Sequence, residues 1–302
     1  MRRLLAALSG LTLLTSCFSG LFAQQPAYQA TAYVVEFPRI VALQFDPPRV
    51  EVGVPITLNA LVLAPDGAEV QQSTASICGL GRDVPTFIFD LNCFEDQDEA
   101  QELVRGDLPL TFTAPDTPLV TDCDVEDTGL DTGFDFGADV PAGWPCPHIL
   151  PILVETQVDG EPTFAVSYVQ YFTGPVPEDA PAGLADIQIS LSVPDAVAPG
   201  EQVQLEVLAY GDYRRDTFHW YVEGGTLLDT GVTTGHAYVP PDENNPLGAT
   251  LSTNRWVVHD DAQGDLRVWV VLHQPGAAFF GDSDDVLAAD MVWRQASTQV
   301  SP

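Results

Sequence analysis

From Ala185 to Ser192 the chain reads Ala-Asp-Ile-Gln-Ile-Ser-Leu-Ser, with Ile187, Ile189 and Leu191 on every second residue. A period of two builds a strand with one buried face; an amphipathic helix needs apolar residues three and four apart. Val193-Pro194 and Val197-Ala-Pro-Gly200 interrupt the pattern, and Val203-Gln-Leu-Glu-Val207 resumes it. The same order of parts occurs near residue 40: Ile40-Val-Ala-Leu-Gln-Phe45, Asp46-Pro47-Pro48, Arg49-Val-Glu-Val-Gly53, then Ile56-Thr-Leu-Asn-Ala-Leu-Val-Leu63. Strand, proline-containing kink, Pro or Gly turn, strand: this is an internal repeat, and it divides the chain into two β units. Along 56–63, Ile56, Leu58, Ala60 and Val62 alternate with Thr57, Asn59, Leu61 and Leu63. The second face is only partly polar, which predicts a well-covered strand. Pro65-Asp66-Gly67 then supplies a turn, since Pro65 presets φ and Gly67 tolerates φ > 0.

The later strands follow the same logic. Phe218-His-Trp-Tyr-Val222, Asn254-Arg-Trp-Val-Val258, Leu266-Arg-Val-Trp-Val-Val-Leu272 and Met291-Val-Trp-Arg294 are short, apolar and separated by Gly, Pro and Asp turns. In the first half, Ile149–Val154 and Thr163–Phe172 flank Asp159-Gly160, a strong hairpin signal. Between these parts lies a long insert, about 78–147, in which Asp96 to Arg105 is predicted as one short helix with Asp96 as N-cap and Glu99 three residues on. Gly174 to Gly183, with Pro175, Pro177 and Pro181, reads as a linker. The strand pattern resembles bacterial immunoglobulin-like and PKD-like domains, with Trp220 in the place of the core tryptophan of strand C. Antibody domains carry a cysteine pair across the core, and this half has none. The resemblance implies an all-β fold of two antiparallel sandwiches in tandem, over 37–173 and 184–300, the first carrying the insert.

Residues 1–16 combine Arg2-Arg3 with an apolar run from Leu4 to Leu14, followed by Leu14-Thr15-Ser16-Cys17. A basic start, a short apolar core and small residues define an export signal, and the run is shorter than the roughly 20 residues a spanning helix needs. The four residues resemble the lipobox of bacterial lipoproteins, which implies lipidation of Cys17 and stable anchoring by two or more acyl chains. The alternative is an ordinary signal cut near Ala23, where Leu21 occupies a position that wants a small residue. By analogy with enteric lipoproteins, Phe18 after the cysteine directs the protein to the outer membrane, with 17–36 as a tether.

With Cys17 set aside, Cys78, Cys93, Cys123 and Cys146 remain. An even number in an exported chain reads as two disulfides, for which three connectivities exist. Cys78–Cys93 and Cys123–Cys146 close the short loops, each worth roughly 3 kcal/mol by chain entropy. A zinc site is disfavoured, because no CxxC pair exists and only His148 lies nearby. Lys+Arg total 11 against 43 Asp+Glu, for a net charge of −32, and every basic residue is Arg. Such a field repels nucleic acid and anionic headgroups. It suits a hydrated, salt-adapted surface or divalent-cation binding.

Two constellations are candidates for binding. Asp124, Asp127, Asp131 and Asp135 lie in an acidic loop spaced by Gly129 and Gly133, a composition suited to oxygen ligation of Ca²⁺. The loop lacks the EF-hand core, and the alternative is a solvated acidic loop stapled by Cys123 and Cys146. The second is aromatic. With Trp220 inward, His219 and Tyr221 face outward; in the neighbouring strand Val268, Val270 and Leu272 form the apolar set, and Trp269 and His273 lie opposite. His219, Tyr221, Trp269 and His273 thus share one outer face. That face suits sugar or protein contact, or else it is covered by the first domain or a loop. No G-x-S-x-G, H-E-x-x-H or P-loop occurs, the five histidines are scattered, and carboxylates are too abundant for any pair to carry meaning. The expectation is a non-catalytic, lipid-anchored envelope or surface protein, structural or adhesive, binding an envelope protein or glycan. The alternatives are an accessory subunit of an envelope complex and a Ca²⁺-binding module.

Overall fold

The computed structural model describes residues 33–65, 68–77, 101–113, 148–172, 174–176, 187–214, 216–241, 246–273 and 291–301. Among these the fold is all-β, and antiparallel apart from short parallel pairings.

In the first half the repeated opening gives β1 (Arg39–Asp46), β2 (Arg49–Glu51) and β3 (Pro55–Leu63). There follow β4 (Val70–Ile77), β5 (Gln101–Gly106), β6 (Leu110–Thr113), β7 (His148–Val158) and β8 (Glu161–Phe172). The strands form one sheet in the order β1-β3-β6 and another in the order β2-β8-β7-β4-β5, with β2 parallel to β8. Leu43, Phe45, Ile56, Leu58, Leu110 and Phe112 from the first sheet share a core with Ala75, Ile77, Ile152, Val154 and Val169 from the second. The kink at Asp46-Pro47 is what carries the chain from one sheet to the other. Asp159-Gly160 joins β7 to β8 with φ of 52° and 83°. Positive φ at both central residues is the two-residue turn whose twist matches paired strands.

The predicted helix is corrected. Gln101–Gly106 is a strand, paired from Ser73↔Gly106 to Ile77↔Gln101 along the edge of β4. A capping-box spacing is a weak local signal, and the unpaired donors and acceptors of β4 outweigh it. Leu103 and Val104 pack against the first core, which fixes the strand further. Leu110–Thr113, in the same stretch, completes the other sheet beside β3. The insert thus supplies a strand to each sheet. Its remainder, with Cys78, Cys93, Cys123 and Cys146 and the acidic residues Asp124, Asp127, Asp131 and Asp135, lies outside the described residues.

The second half contains β9 (Ile189–Ser192), β10 (Ala196–Val197), β11 (Gln202–Ala209), β12 (Thr217–Val222), β13 (Gly225–Leu227) and β14 (Val232–Thr234). It continues with β15 (Ala237–Val239), β16 (Ala249–Val258), β17 (Asp265–His273) and β18 (Met291–Val300). One sheet runs β10-β18-β17-β12-β14 and the other β13-β16-β11-β9, with β15 also paired to β16. The alternation predicted for β11 is realised: Val203, Leu205 and Val207 are buried between exposed Gln202, Gln204 and Glu206. These side chains meet Trp220, Trp256, Val268, Val270 and Leu272 in a second core. The Trp220 indole is fully buried, and its Nε1 donates to Thr233 Oγ1 at 2.7 Å, which answers the cost of burying an N–H.

Strand order is the same in both halves. The first, third and sixth strands of the first half correspond to β9, β11 and β16 of the second. The second, eighth, seventh and fourth correspond to β10, β18, β17 and β12. In each half a short second strand runs parallel to the last one.

Candidate functional site: an aromatic face closed by the chain's own first half

The outward residues of β12 and β17 come together as their alternation requires. Tyr221 stands opposite Trp269, His219 opposite Val271, and Thr217 opposite His273. On the far side of β17, β18 places Trp293 opposite Val271 and Met291 opposite His273. Arg267 lies over the Trp269 ring at 5.2 Å, and Trp269 Nε1 donates to Gln295 Oε1 at 3.0 Å. The four residues singled out from sequence do share a face.

That face is not open to a ligand. Tyr221 is 8% exposed, Trp269 3% and Val271 1%. They pack with Val41, Ala42, Leu61 and Leu63, which project from the outer side of the β1-β3-β6 sheet, and with Val35 and Met291. The expectation of a free sugar- or protein-binding face through Tyr221 and Trp269 is therefore corrected, and its alternative, cover by the first domain, is what the structure has. The physical reason lies in β3. Its core face is Ile56, Leu58, Ala60 and Val62, while its other face changes from Thr57 and Asn59 to Leu61 and Leu63. Two leucines on an outer sheet face need cover, and the aromatic face of the second half supplies it. Three apolar layers therefore alternate with four sheets.

Polar groups at the margin of this seam are paired. Val35 N donates to Val222 O at 3.1 Å, and Val222 N donates to Tyr33 O at 3.0 Å. The lead segment thus adds a parallel bridge to the edge of β12, at Val34↔Val222. Gln44 Nε2 donates to the Met291 carbonyl at 3.0 Å. Arg267 donates to the Glu223 carboxylate from its backbone N at 3.0 Å, from Nε at 2.9 Å and from Nη2, and Nη2 also reaches the Ala64 carbonyl at 3.2 Å. Glu223 is 7% exposed and the Arg267 side chain 30%, so this ion pair within the second half is partly desolvated, and the bond to Ala64 is its reach across the seam. Arg39 lies over Tyr221 at 5.6 Å and over Phe37 at 5.2 Å.

Tyr33 sits 5.7 Å from the Tyr221 ring and directly on Gly231, where any Cβ would collide with it. Gly231→Val should eject Tyr33 and loosen the lead segment, at a cost of about 1–3 kcal/mol. Limited proteolysis should then cut close to residues 33–38 faster than in the wild type, and a denaturant titration should show the loss.

His219 and His273 lie at one end of the face, with ring centroids 5.8 Å apart and edge-to-face. Thr217 Oγ1 is 3.4 Å from His219 Nε2 and 3.2 Å from His273 Nδ1. Burial pushes the His219 imidazole down to about 4, with a smaller contribution from the facing His273, and burial likewise lowers His273. Both rings are therefore neutral at pH 7.

Tyr33, Val41, Leu61, Leu63 and the Glu223–Arg267 pair were not among the residues expected to matter. Cys17 lies outside the described residues. Among the described residues, no three or more His, Cys, Asp or Glu side chains gather as a metal site.

No family model matches the chain, and no curated protein matches it. Among solved structures it is similar to the native conformation of alpha-2-macroglobulin from E. coli, at 11% identity and a TM-score of 0.25, over 87% of this chain and 17% of that one. It is also similar to three N-terminal domains of the Highly Immunogenic Outer Capsid protein (Hoc) of bacteriophage RB49, at 12% identity and a TM-score of 0.18, over 88% of this chain and 71% of that one. The chain thus spans about 17% of the length of the E. coli protein. Likenesses of this degree bear no weight for fold or function, which rest on the strand pairings and the seam.

Proposed function

We propose that this chain is a non-catalytic, lipid-anchored envelope protein in which two immunoglobulin-like sandwiches are joined into one stiff arm. The arm holds its free loops away from an outer membrane, in a structural or adhesive role against an envelope protein or glycan. The immunoglobulin-like assignment is supported by strand order. Taking β9, β10, β11, β12, β16, β17 and β18 as A, A′, B, C, E, F and G gives sheets A-B-E and A′-G-F-C, with Trp220 buried on C. The first half follows the same scheme. Anchoring is supported by Leu14-Thr15-Ser16-Cys17 behind a short apolar run.

The observation that carries the proposal is the seam. Domains joined in one chain move independently unless their interface is large and apolar. Here Tyr221, Trp269 and Val271 of one half and Val41, Leu61 and Leu63 of the other form a buried apolar one. The most adhesive-looking surface of the molecule serves its own rigidity, which leaves the loops for contact with a partner. The accessory-subunit alternative rests on a permanently covered aromatic face. Cover from within the same chain removes the need for a second protein there.

Cys17→Ser tests the anchor. The wild type is expected to incorporate labelled fatty acid and to sediment with outer membranes; the variant should lose the label and remain in the soluble fraction. A variant that stays membrane-bound would refute lipid anchoring through Cys17. Crosslinking and pull-down from intact envelopes test the role, since stoichiometric recovery with one fixed complex would favour the accessory subunit.

A further inference from the structure

Three residues form a row across one face of the second half: Thr217 on β12, His273 on β17 and Met291 on β18, each directly opposite the next. Residues opposite one another in an antiparallel pair point to the same side, with Cβ atoms about 4.5–5.5 Å apart. His219, two residues along β12, lies diagonally across from His273, and the two rings are 5.8 Å apart, edge to face. Two imidazoles and a thioether are thus neighbours on three adjacent strands of one sheet. Between the rings lies a hydroxyl: Thr217 Oγ1 is 3.4 Å from His219 Nε2 and 3.2 Å from His273 Nδ1. Both contacts are long for a hydroxyl, and its one proton serves only one ring at a time. His273 Nε2 is buried and has no hydrogen-bond partner among the described residues. We propose that His219, His273 and Met291 form a binding site for a soft monovalent metal ion of the cuprous class.

The donor set selects the ion. Imidazole and thioether are uncharged donors suited to Cu(I), whereas Ca²⁺ and Mg²⁺ take oxygen ligands. Among the described residues no Asp, Glu or Cys joins the two histidines to make a group of three. The nearest strand positions are Val232, Thr233 and Thr234 on β14, Val271 on β17 and Trp293 on β18, none of which bears an anion. A divalent ion would therefore enter a partly desolvated site with nothing to neutralise it. Desolvation cost rises with the square of the charge, so a monovalent ion costs about a quarter as much.

Access and proton state agree with this. Both rings are half-buried, which leaves a route from solvent, while Met291, at 7% exposure, packs on the apolar side with Val271. Both rings are neutral at pH 7, so neither must lose a proton before it binds a metal. The net charge of −32 raises the concentration of any cation near the surface.

The chain has two methionines, Met1 and Met291, so ¹³C-methyl methionine spectra of the full chain read the site through one resonance. The probe is Ag⁺, a soft monovalent ion that needs no reductant, in chloride-free buffer after free thiols are blocked. The Met291 methyl and the ring protons of His219 and His273 should shift together and saturate at one equivalent. Cu(I) supplied under ascorbate should reproduce these shifts, and Zn²⁺ and Ca²⁺ at the same concentration should not. His219→Gln/His273→Gln keeps Met291 and should lose the response, with a dispersed amide spectrum showing that it is folded. Met291→Leu keeps the volume of the side chain and should weaken the response of the two rings. A Met291 methyl that stays still under Ag⁺ or under Cu(I), one that moves as far in the folded double variant, or one that answers Zn²⁺ equally would each overturn the site.

Discussion

Trp220→Ala is expected to cost about 3–5 kcal/mol, by removal of a large aromatic from a packed core. Trp220 is fully buried in the second core, beside Val270 of its own sheet and with Val207 contributed by the facing sheet, and its Nε1 is held by Thr233 Oγ1 at 2.7 Å. Truncation leaves a cavity. It also leaves Thr233 Oγ1 without the indole N–H, although Thr233 keeps its contact with Ser252 Oγ at 2.7 Å. Against a total domain stability of about 5–15 kcal/mol, such a loss threatens folding of the second half outright. Trp220→Phe keeps most of the volume and should recover a large part of the difference. Denaturant titration followed by tryptophan fluorescence reads the effect, and a loss below about 1 kcal/mol would mean that Trp220 is not at the centre of this core.

Leu61→Asp should act on the seam. Leu61 is buried against the aromatic face and lies opposite Ala42, so a carboxylate there would have no basic residue across the strand pair. Burying an unpaired charge costs several kcal/mol, but this protein has an escape, since separating the halves returns the introduced carboxylate to water. The variant should therefore keep both cores and lose their coupling, at about 3 kcal/mol or more in the stability of the joined form. Its thermal unfolding should split into two transitions, where the wild type should show one. Leu228→Asp, at a leucine that is 47% exposed, should change stability by about 0.5 kcal/mol or less and leave one transition.

The sheets were legible because alternation and turn chemistry agree. Val203, Leu205 and Val207 could be assigned to one face from sequence, and Asp159-Gly160 to a tight hairpin, because each signal is local. The sharing of one face by Tyr221 and Trp269 was legible for the same reason. What covers that face was not, because partner choice between sheets is a tertiary property. The sign of it was present in Leu61 and Leu63, where the polar side of β3 turns apolar. β1 hid its share better. Its register shifts between Ile40 and Ala42, so Val41 and Ala42 both meet the seam while Leu43 and Phe45 return to the first core. A bulge breaks the period of two, and no alternation count anticipates it. β5 was misjudged because an N-cap spacing carries less energy than the edge of a sheet waiting to be paired. The lead segment at Tyr33 gave no periodic signal at all, since a single parallel bridge is too short to have a period.

The central claim is that the aromatic face of the second half is the adhesive joining it to the first, so that the two move as one body. The most direct measurement is ¹⁵N relaxation of the wild type at neutral pH. The account predicts a single rotational correlation time shared by amides of β3 and β17, appropriate to the whole chain. Two distinct and shorter correlation times, one for each half, would contradict it.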